Sequence, residues 1–535
     1  DQGYSYWCVA ACAALLGDTE TLKSIVRMYE KMLAPDSWIF YGDGTFFEGT
    51  WAYESQFLAG SWSIPEVLVG NLEVGVYSNP NCTLWEKVLT WYLDSTFPDG
   101  TMPAVNDAHV GGRPALLWSE IAYARYGNRK ALRHLKQVWG DKLESGSEYS
   151  LFFRDPDTAA SPDPGEPYGV DSAHLADMGM MILRQGEAPS RRMMAFLDYG
   201  AYLPAVHKHR DYLNFGLWAH GMEMVSEIGY SHNPLWAKRF QVQPLAHNTV
   251  LEVAGQEGRG EPLVWCVTPG PKIAEAGNPP GNSRCILLLP GQSGAPVVVD
   301  IFRVGGNQEH FTWTMHARSA DWQVKGVSEL TSTVVPKPLR HGRRGQVAGD
   351  LEAIWTFPGK TPRGLAVRLP AMGASEVILA ECPAEEDALQ ACHVGGGALK
   401  PGAVLPRRGH IQMIRPGPNA IFVAVYAPFE GKSIPDFKTK LHRLPGHDDA
   451  IALRIDRGTD SFVVLHSVQP GKIQFGATQL DGRICVVSLR NGMLASLCLG
   501  EGIYAEYDKA TLVRDTIGNA YAERVGEKIK TLEMK

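Results

Sequence analysis

The sequence predicts an α+β protein with segregated parts, a helical N-terminal half, a toroid or bundle, followed by antiparallel β-sandwich domains. Three observations carry this. Apolar residues recur at the helical period through the first 190 residues. Further on they alternate at the strand period. Turn dipeptides, Asp481-Gly482 and Asn491-Gly492 among them, punctuate the second half as hairpin signals. The expected boundaries are 1–190 for the helical domain, 191–445 for a β-sandwich and 446–535 for a C-terminal β domain.

In the helical half, Leu22, Ile25, Val26, Tyr29, Met32 and Leu33 fall on one helix face. Leu84, Trp85, Val88, Leu89, Tyr92 and Leu93 form a second, and Leu117, Ile121 and Ala124 begin a third. The run Trp7 to Leu16 has no basic residue before it, the first being Lys23, so it reads as a core helix and not as a signal peptide. Gly- and Pro-rich connectors lie at Gly42 to Gly49, Pro98 to Pro114 and Asp155 to Pro167. Helix pairs whose connectors carry polar and aromatic residues suit a bundle or toroid with its functional residues on one rim. In the β half, Val297 to Phe302 reads as a buried strand. Ile451, Leu453 and Ile455 alternate with Ala452, Arg454 and Asp456, and Lys472 to Phe475 alternates likewise. No repeat of fixed period is seen.

Composition narrows the function. The 535 residues carry 51 Lys+Arg against 58 Asp+Glu, a net charge of −7, with 44% hydrophobic and 20% charged residues. That is an ordinary globular composition. It excludes a disordered chain, a collagen-like repeat and a small disulfide scaffold, and a generally basic nucleic-acid binder is not expected. No apolar run reaches the ~18 residues that span a bilayer, so no membrane partner is expected. Nine cysteines without a CxxC pair read as buried free thiols, Cys8 and Cys12 lying one helical turn apart. Asn81-Cys82-Thr83 matches the glycosylation sequon.

Three stretches carry the chemistry. The first is His207-Lys208-His209-Arg210-Asp211. As a strand it would place His207, His209 and Asp211 on one face, suited to a metal or an anionic substrate. With Glu227 and His247 further on, two histidines and a carboxylate make a three-ligand zinc set; the plainer alternative is a polar strand end with hydrogen-bonded histidines. The second is Asp43 to Glu54, where aromatic and acidic residues, Trp51, Tyr53 and Glu54 included, sit on a Gly-rich turn entering a helix. Rings there could stack on sugar faces, or Thr50 could simply cap the helix. The third is Pro98 to His109, where Asn106 and His109 could donate to a carboxylate and stabilise an enolate-like intermediate, or form an Asx-turn that orders a loop.

Taken in order, these stretches resemble the heparinase II/III-like polysaccharide lyases, which include heparinase II, heparinase III and the oligoalginate lyases. The resemblance is strongest from Asp177 to Gly255, where Gly179-Met180-Met181-Ile182-Leu183-Arg184 precedes the His-x-His segment, Glu227 and His247-Asn248-Thr249-Val250. Val298 to Val304 with Gly305-Gly306 and His310 is similar to the family's β-domain. The resemblance implies an α/α toroid followed by a β-sandwich, an active site in a cleft, and β-elimination at a uronic acid. His207 matches the first His of the His-x-His, at the active site. His209, Glu227 and His247 match the ligands of a mainly structural zinc, with Glu227 where an Asp is usual. No organic cofactor is expected. The elimination needs the uronate carboxylate neutralised, a base for the C5 proton and an acid for the departing O4. Asn106, His109 and His207 are assigned to the carboxylate, and Tyr53 or Tyr230 to proton transfer, Tyr199 being a weaker candidate. Trp51, Glu54, Arg210 and Arg239 are assigned to substrate binding.

Two departures stand out. Many relatives carry Tyr-His where this chain has Tyr53-Glu54, so Glu54 must be turned away or protonated beside a substrate carboxylate. The helical half is also short for a complete toroid, so helices preceding Asp1 are expected. The expected partner is an anionic uronic-acid polysaccharide, with Arg191-Arg192 or Arg407-Arg408 as candidates for sulfate and a homo-oligomer left open. Such a substrate places the protein in the periplasm or outside the cell. The rival readings are a glycoside hydrolase using Glu48, Glu54, Asp99 or Asp107, and a non-catalytic polysaccharide-binding protein.

Overall fold

The computed structural model describes residues 2–143, 145–154, 158, 171–186, 192–201, 207–230, 240–255, 258–279, 281–291, 296–385, 393–394, 398–400, 402, 404, 406–526, 528–532 and 534. The chain forms two compact units, Asp1–Met180 with Leu203–His209, and Met181–Tyr202 with Arg210–Lys535.

The first unit is helical. Asp18 caps Thr19–Met32 by accepting from the Thr21 N–H at 3.1 Å, and Glu20 in the first turn faces the helix's positive end. Its buried residues are Leu22, Ile25, Val26, Tyr29 and Met32, the face expected from their spacing. Tyr29 meets Trp85 edge-on, with 5.4 Å between ring centroids. Leu116–Tyr126 stops at Gly127 in the left-handed region, and Asn128 caps Arg129–Trp139. Buried carboxylates tie these helices together. Glu66 holds Arg125, and Glu120 takes Arg154, Ser147 and Ser150.

Two expectations for this unit are corrected. The face from Leu84 to Leu93 is split between Trp85–Val88 and Trp91–Ser95, because Thr90 leaves helical geometry and its hydroxyl bonds back to the Glu86 carbonyl at 2.8 Å. Gln2–Leu16 is a helix but not a core helix. Among its described side chains only Ala10 and Ala13 are buried, while Leu15 is 87% exposed. Cys8 and Cys12 on it are exposed free thiols; the other six described cysteines are free and buried, as expected. The connector Asp155 to Pro167 lies, apart from Thr158, outside the described residues.

The second unit is built of antiparallel sheets. An eight-stranded sheet runs, in spatial order, Trp322–Lys325, Leu351–Phe357, Arg363–Leu369, Asn419–Glu430, Val297–Gly305, Asn282–Leu289, Lys272–Asn278 and Glu261–Val267. It is covered on both sides, which explains the unbroken apolar run at Val297. Val298, Phe302 and Val304 enter one core with Trp313, Met315, Ile411 and Met413 of a five-stranded sheet. Val297, Val299 and Ile301 enter the opposite core with Ile451, Leu453, Val464 and Val486 of a seven-stranded sheet. The alternation is the strand period of two, and the stacking is that of packed sheets. The seven-stranded sheet is a meander from Lys438–Leu444 to Lys528–Leu532. Asn491-Gly492 is its expected hairpin turn, both residues at positive φ. Asp481-Gly482 is not a turn. It sits inside Thr478–Arg490 at a register shift, where a side chain on Gly482 would lie 2.6 Å from the Gly502 Cα. No helix among the described residues is long and apolar enough to cross a membrane.

One buried carboxyl here has a measurable pH signature. Burial, with Glu385 and Glu227 adding to it and Arg318 opposing, pushes Glu223 up to about 8. A raised folded value means stability that is complete below the unfolded value of about 4.3 and lost as pH rises through 8. Glu223→Gln should therefore match the parent near pH 4 and exceed it near pH 9. Urea denaturation at each pH reads this out, and parallel curves at the two extremes would contradict it.

Candidate active site

In the first unit, the loop after Gly49, the helix Trp51–Ser61, the Asn106–His109 turn and His207–His209 come together around one carboxylate. Asp107 Oδ2 lies 2.8 Å from His207 Nδ1, and its Oδ1 lies 2.9 Å from His209 Nε2. Burial pushes Asp107 up, but its bonds to the two imidazoles outweigh this and hold it below the usual carboxylate range. An ionised carboxylate only accepts, so each imidazole donates the nitrogen that faces Asp107. That leaves His207 Nε2 and His209 Nδ1 turned away from Asp107, each an acceptor or metal ligand on a neutral ring and a donor on a protonated one. The His207 side chain is 35% exposed, whereas that of His209 is 2% exposed. Tyr53 stacks on His207 with 3.5 Å between centroids and 15° between planes.

The turn that carries Asp107 is fixed by its neighbour. Asn106 has φ +55°, a conformation its short amide tolerates. Its Nδ2 donates to the Gly49 carbonyl at 2.8 Å, and its Oδ1 accepts from the His209 backbone N–H at 2.9 Å. Asn106 thus spans the helix entry and the His-x-His segment. Thr50 caps the helix as its sequence allowed, accepting from the Ala52 N–H. Gly49 has φ +62°, a conformation that favours glycine, and a Cβ there would lie 2.9 Å from Lys208 Cε. Glu48 is half-buried nearby; burial raises it, His207 opposes and Asp107 adds to the rise. His109 is half-buried on the same loop.

Trp51 and Glu54 point elsewhere. Trp51 packs on Gly112, where a Cβ would lie 2.1 Å from its ring. Glu54 is 2% exposed and accepts from Trp91 Nε1 at 2.7 Å, in a small pocket lined also by Trp51, Trp118 and Tyr92. Burial raises its carboxyl well above the ordinary value. A carboxyl whose neutral form burial favours loses little by becoming an amide. Glu54→Gln should hold Tm within about 2–4 °C of the parent, roughly 1 kcal/mol, in a thermal melt. A larger drop would show that Glu54 carries its charge in the fold.

The expected His-x-His strand is not formed. Residues 207–211 are turn and coil, and their backbone bonds leave in different directions. The His207 carbonyl accepts from Asp107, the His209 N–H goes to Asn106, and the Arg210 N–H goes to the Val242 carbonyl. His207 and His209 share Asp107 rather than a strand face, while Asp211 is buried in the second unit beside Asp198.

In the second unit, His247 Nδ1 lies 2.6 Å from Glu227 Oε2, and Asn214 Nδ2 donates to Glu227 Oε1 at 2.6 Å. Burial opposes protonation of His247, but the Glu227 carboxylate outweighs it and raises the imidazole above its ordinary value. The neighbours of His247 are structural. The Asn248 N–H donates to Asn214 Oδ1, Thr249 Oγ1 donates to the Tyr212 carbonyl, and Thr314 Oγ1 donates to the His247 carbonyl. Beneath them the fully buried Arg284 makes a bidentate pair with Asp300, at 2.9 and 2.6 Å. Its Nη1 reaches the carbonyls of Leu213 and Asn248.

Tyr230 is half-buried and Arg210 exposed, both in the second unit. Tyr199 is fully buried, out of reach of a polymer. Arg408 is a correction. It is 1% exposed on the strand Arg407–Pro416 and pairs with Glu385, so it is not a surface sulfate ligand. Arg239 and Arg191 lie outside the described residues. Asp107 as the partner of both histidines, and Asn214 and Arg284 as supports, were not singled out from sequence. Groups of residues that could hold a metal are present in the second unit, Glu275 with Cys285 and His466, and His316 with Cys382 and His410.

Comparison with known proteins bears out the resemblance read from the sequence. Residues 168–258, the stretch holding His207, His209, Glu227 and His247, match the family model described as Heparinase II/III-like, C-terminal. Among solved structures, the fold is similar to heparan sulfate lyase HepC from Pedobacter heparinus, with TM-score 0.54, 13% identity, 84% of this chain and 61% of that one. It is similar to a heparinase III, with TM-score 0.53, 12% identity, 84% of this chain and 63% of that one. A further heparinase III gene product gives TM-score 0.51 at 14% identity, covering 84% of this chain and 62% of that one. The chain thus spans a little over three-fifths of the length of these structures. No curated protein matches it in sequence.

Proposed function

We propose that the chain is a polysaccharide lyase that cleaves a uronic-acid polymer by β-elimination, leaving an unsaturated uronate. The observation that carries this reading is the Asp107–His207–Tyr53 arrangement. One imidazole nitrogen is held by a carboxylate, the other is left to a ligand, and a phenol lies on the ring. His207, the second N–H of the Asn106 amide and His109 would take the substrate carboxylate and so acidify C5–H. Tyr53 would move the proton between C5 and the leaving O4; Tyr230 is the alternative. The helical unit would form part of an α/α toroid, and the acidic polymer would be met outside the cell. A hydrolase gains less support, since it needs two carboxylates at the scissile bond. Glu54 is buried and Asp107 is committed to two imidazoles.

His209, Glu227 and His247 would hold zinc, for which two imidazoles and a carboxylate are a fitting donor set. The Asp107 bond to His209 Nε2 supports this, because ligating imidazoles commonly donate their other nitrogen to a carboxylate. The zinc would organise the loops and take no part in the proton transfers.

The test is ultraviolet absorbance of the purified protein with a panel of uronic-acid polysaccharides. A rising signal of unsaturated uronate on at least one polymer is expected. Release of reducing ends without that absorbance would replace the lyase with the hydrolase. Binding without either would leave a carbohydrate-binding protein.

A further inference from the structure

A second cluster of metal-ligating side chains lies in the second unit, on residues the lyase reading does not use. Strand register builds it. His310–His316 pairs with Arg407–Pro416 so that His316 stands opposite His410. Arg407–Pro416 pairs in turn with Ser375–Pro383, Ala380 opposite His410 and Cys382 opposite Arg408. Directly opposed residues share a face, and a residue two along shares it too. Three adjacent strands therefore present His316, His410 and Cys382 on one side of the five-stranded sheet, with one ligand atom of each within 4.8 Å of the others. The two rings lie nearly parallel, at 15° and 5.8 Å between centroids.

The surroundings are dry and the histidines are under-used. His316 and His410 are both 0% exposed, and Cys382 is 1% exposed. Ile228, Phe240, Ala246, Leu339 and Ala380 pack with Cys382 as an apolar wall. His316 Nε2 donates to the Ser226 carbonyl at 3.2 Å, which leaves Nδ1 as the lone-pair nitrogen. That Nδ1, and both ring nitrogens of His410, have no hydrogen-bond partner among the described residues. Buried polar atoms left so are costly. Arg408 completes the shell. Its Nε donates to Cys382 Sγ at 3.3 Å and its Nη1 to Glu385 at 2.9 Å, so a thiolate would have a cationic donor and that donor a counter-charge. The Glu275, Cys285 and His466 group differs, because its carboxylate is already taken by Arg483 and His466.

We propose that His316, Cys382 and His410 bind a zinc ion at an internal site separate from the His209, Glu227 and His247 set. Two imidazoles and a thiolate suit zinc and select against magnesium and calcium. Binding releases the Cys382 thiol proton, and the ion is acquired as the sheet closes, so its role is to join three strands.

Cobalt serves as the probe. The full chain is expressed in minimal medium with cobalt replacing zinc, so that the ion enters during folding. A near-ultraviolet thiolate-to-cobalt charge-transfer band is expected, lost in Cys382→Ser and kept in Cys285→Ser. Metal analysis should show one equivalent fewer in Cys382→Ser and in His410→Asn than in the parent. The His209, Glu227 and His247 set contains no thiolate, so its occupancy, like lyase activity, cannot produce or remove the band. Absence of the band in the folded parent overturns the proposal whether or not the variants fold. A band that survives Cys382→Ser does so too.

Discussion

Replacing His207 with alanine is expected to lower kcat/KM on the cleaved polymer by about 10²- to 10⁴-fold, the range for removing a group that acts in proton transfer or charge stabilisation. The fold should hardly register the change. The His207 side chain is one-third exposed and contacts Asp107 and Tyr53. A cost within about 1 kcal/mol is expected from urea denaturation. On the proposed reading the loss falls mainly on kcat, because neutralising the carboxylate matters most as the carbanion forms. Tyr53→Phe separates two roles of its partner. It keeps the ring stacked on His207 and removes the hydroxyl. Loss of activity equal to that of His207→Ala would make Tyr53 the proton carrier. Near-parental activity would reduce Tyr53 to a platform and pass the role to Tyr230. Unchanged turnover in His207→Ala would remove the Asp107–His207 pair from the mechanism and with it the main support for the lyase reading.

Much of the fold is legible in the sequence because it depends on local periodicity. The face of Thr19–Met32 and the strand Val297–Gly305 follow from spacing and composition alone. The site is legible only in its parts. His207 and His209 can be picked out as a pair, but a period-two reading misplaces them, since their backbone bonds go to the Asn106–Asp107 turn instead of a neighbouring strand. Asp107 lies a hundred residues from the histidines it joins, and nothing in its own neighbourhood distinguishes it from a turn former. His316, Cys382 and His410 come together only once the pairing of three strands is known. Glu54 is the instructive case. An acid on a Gly-rich turn beside aromatics suggests a sugar cleft, yet Glu54 serves the helical core, because helix phase turns it inward toward Trp91 while Tyr53 faces His207.

Asp300→Ala should be the most damaging single substitution for stability, costing about 3–5 kcal/mol. The pair it breaks is fully buried. Arg284 is 0% exposed, stacks over Phe215 and Phe302, and has no route to water when its carboxylate is removed. The penalty is that of an uncompensated buried charge and exceeds the worth of the pair itself. The effect also reaches the candidate site, since Arg284 Nη1 holds the carbonyls of Leu213 and Asn248. Those residues flank Asn214 and His247, which meet at Glu227. Asp300→Ala should therefore loosen this loop before the sheets unfold, giving faster hydrogen exchange at the Asn248 amide, whose acceptor is Asn214. Replacing both members, as Arg284→Met with Asp300→Leu, removes the stranded charge. Most of the global stability should return, but the two carbonyls lose their donor, so loop protection should not. Urea denaturation and amide exchange on the two variants separate these contributions. A cost below about 1 kcal/mol for Asp300→Ala would mean that water reaches Arg284 and that the pair is not the anchor of this loop.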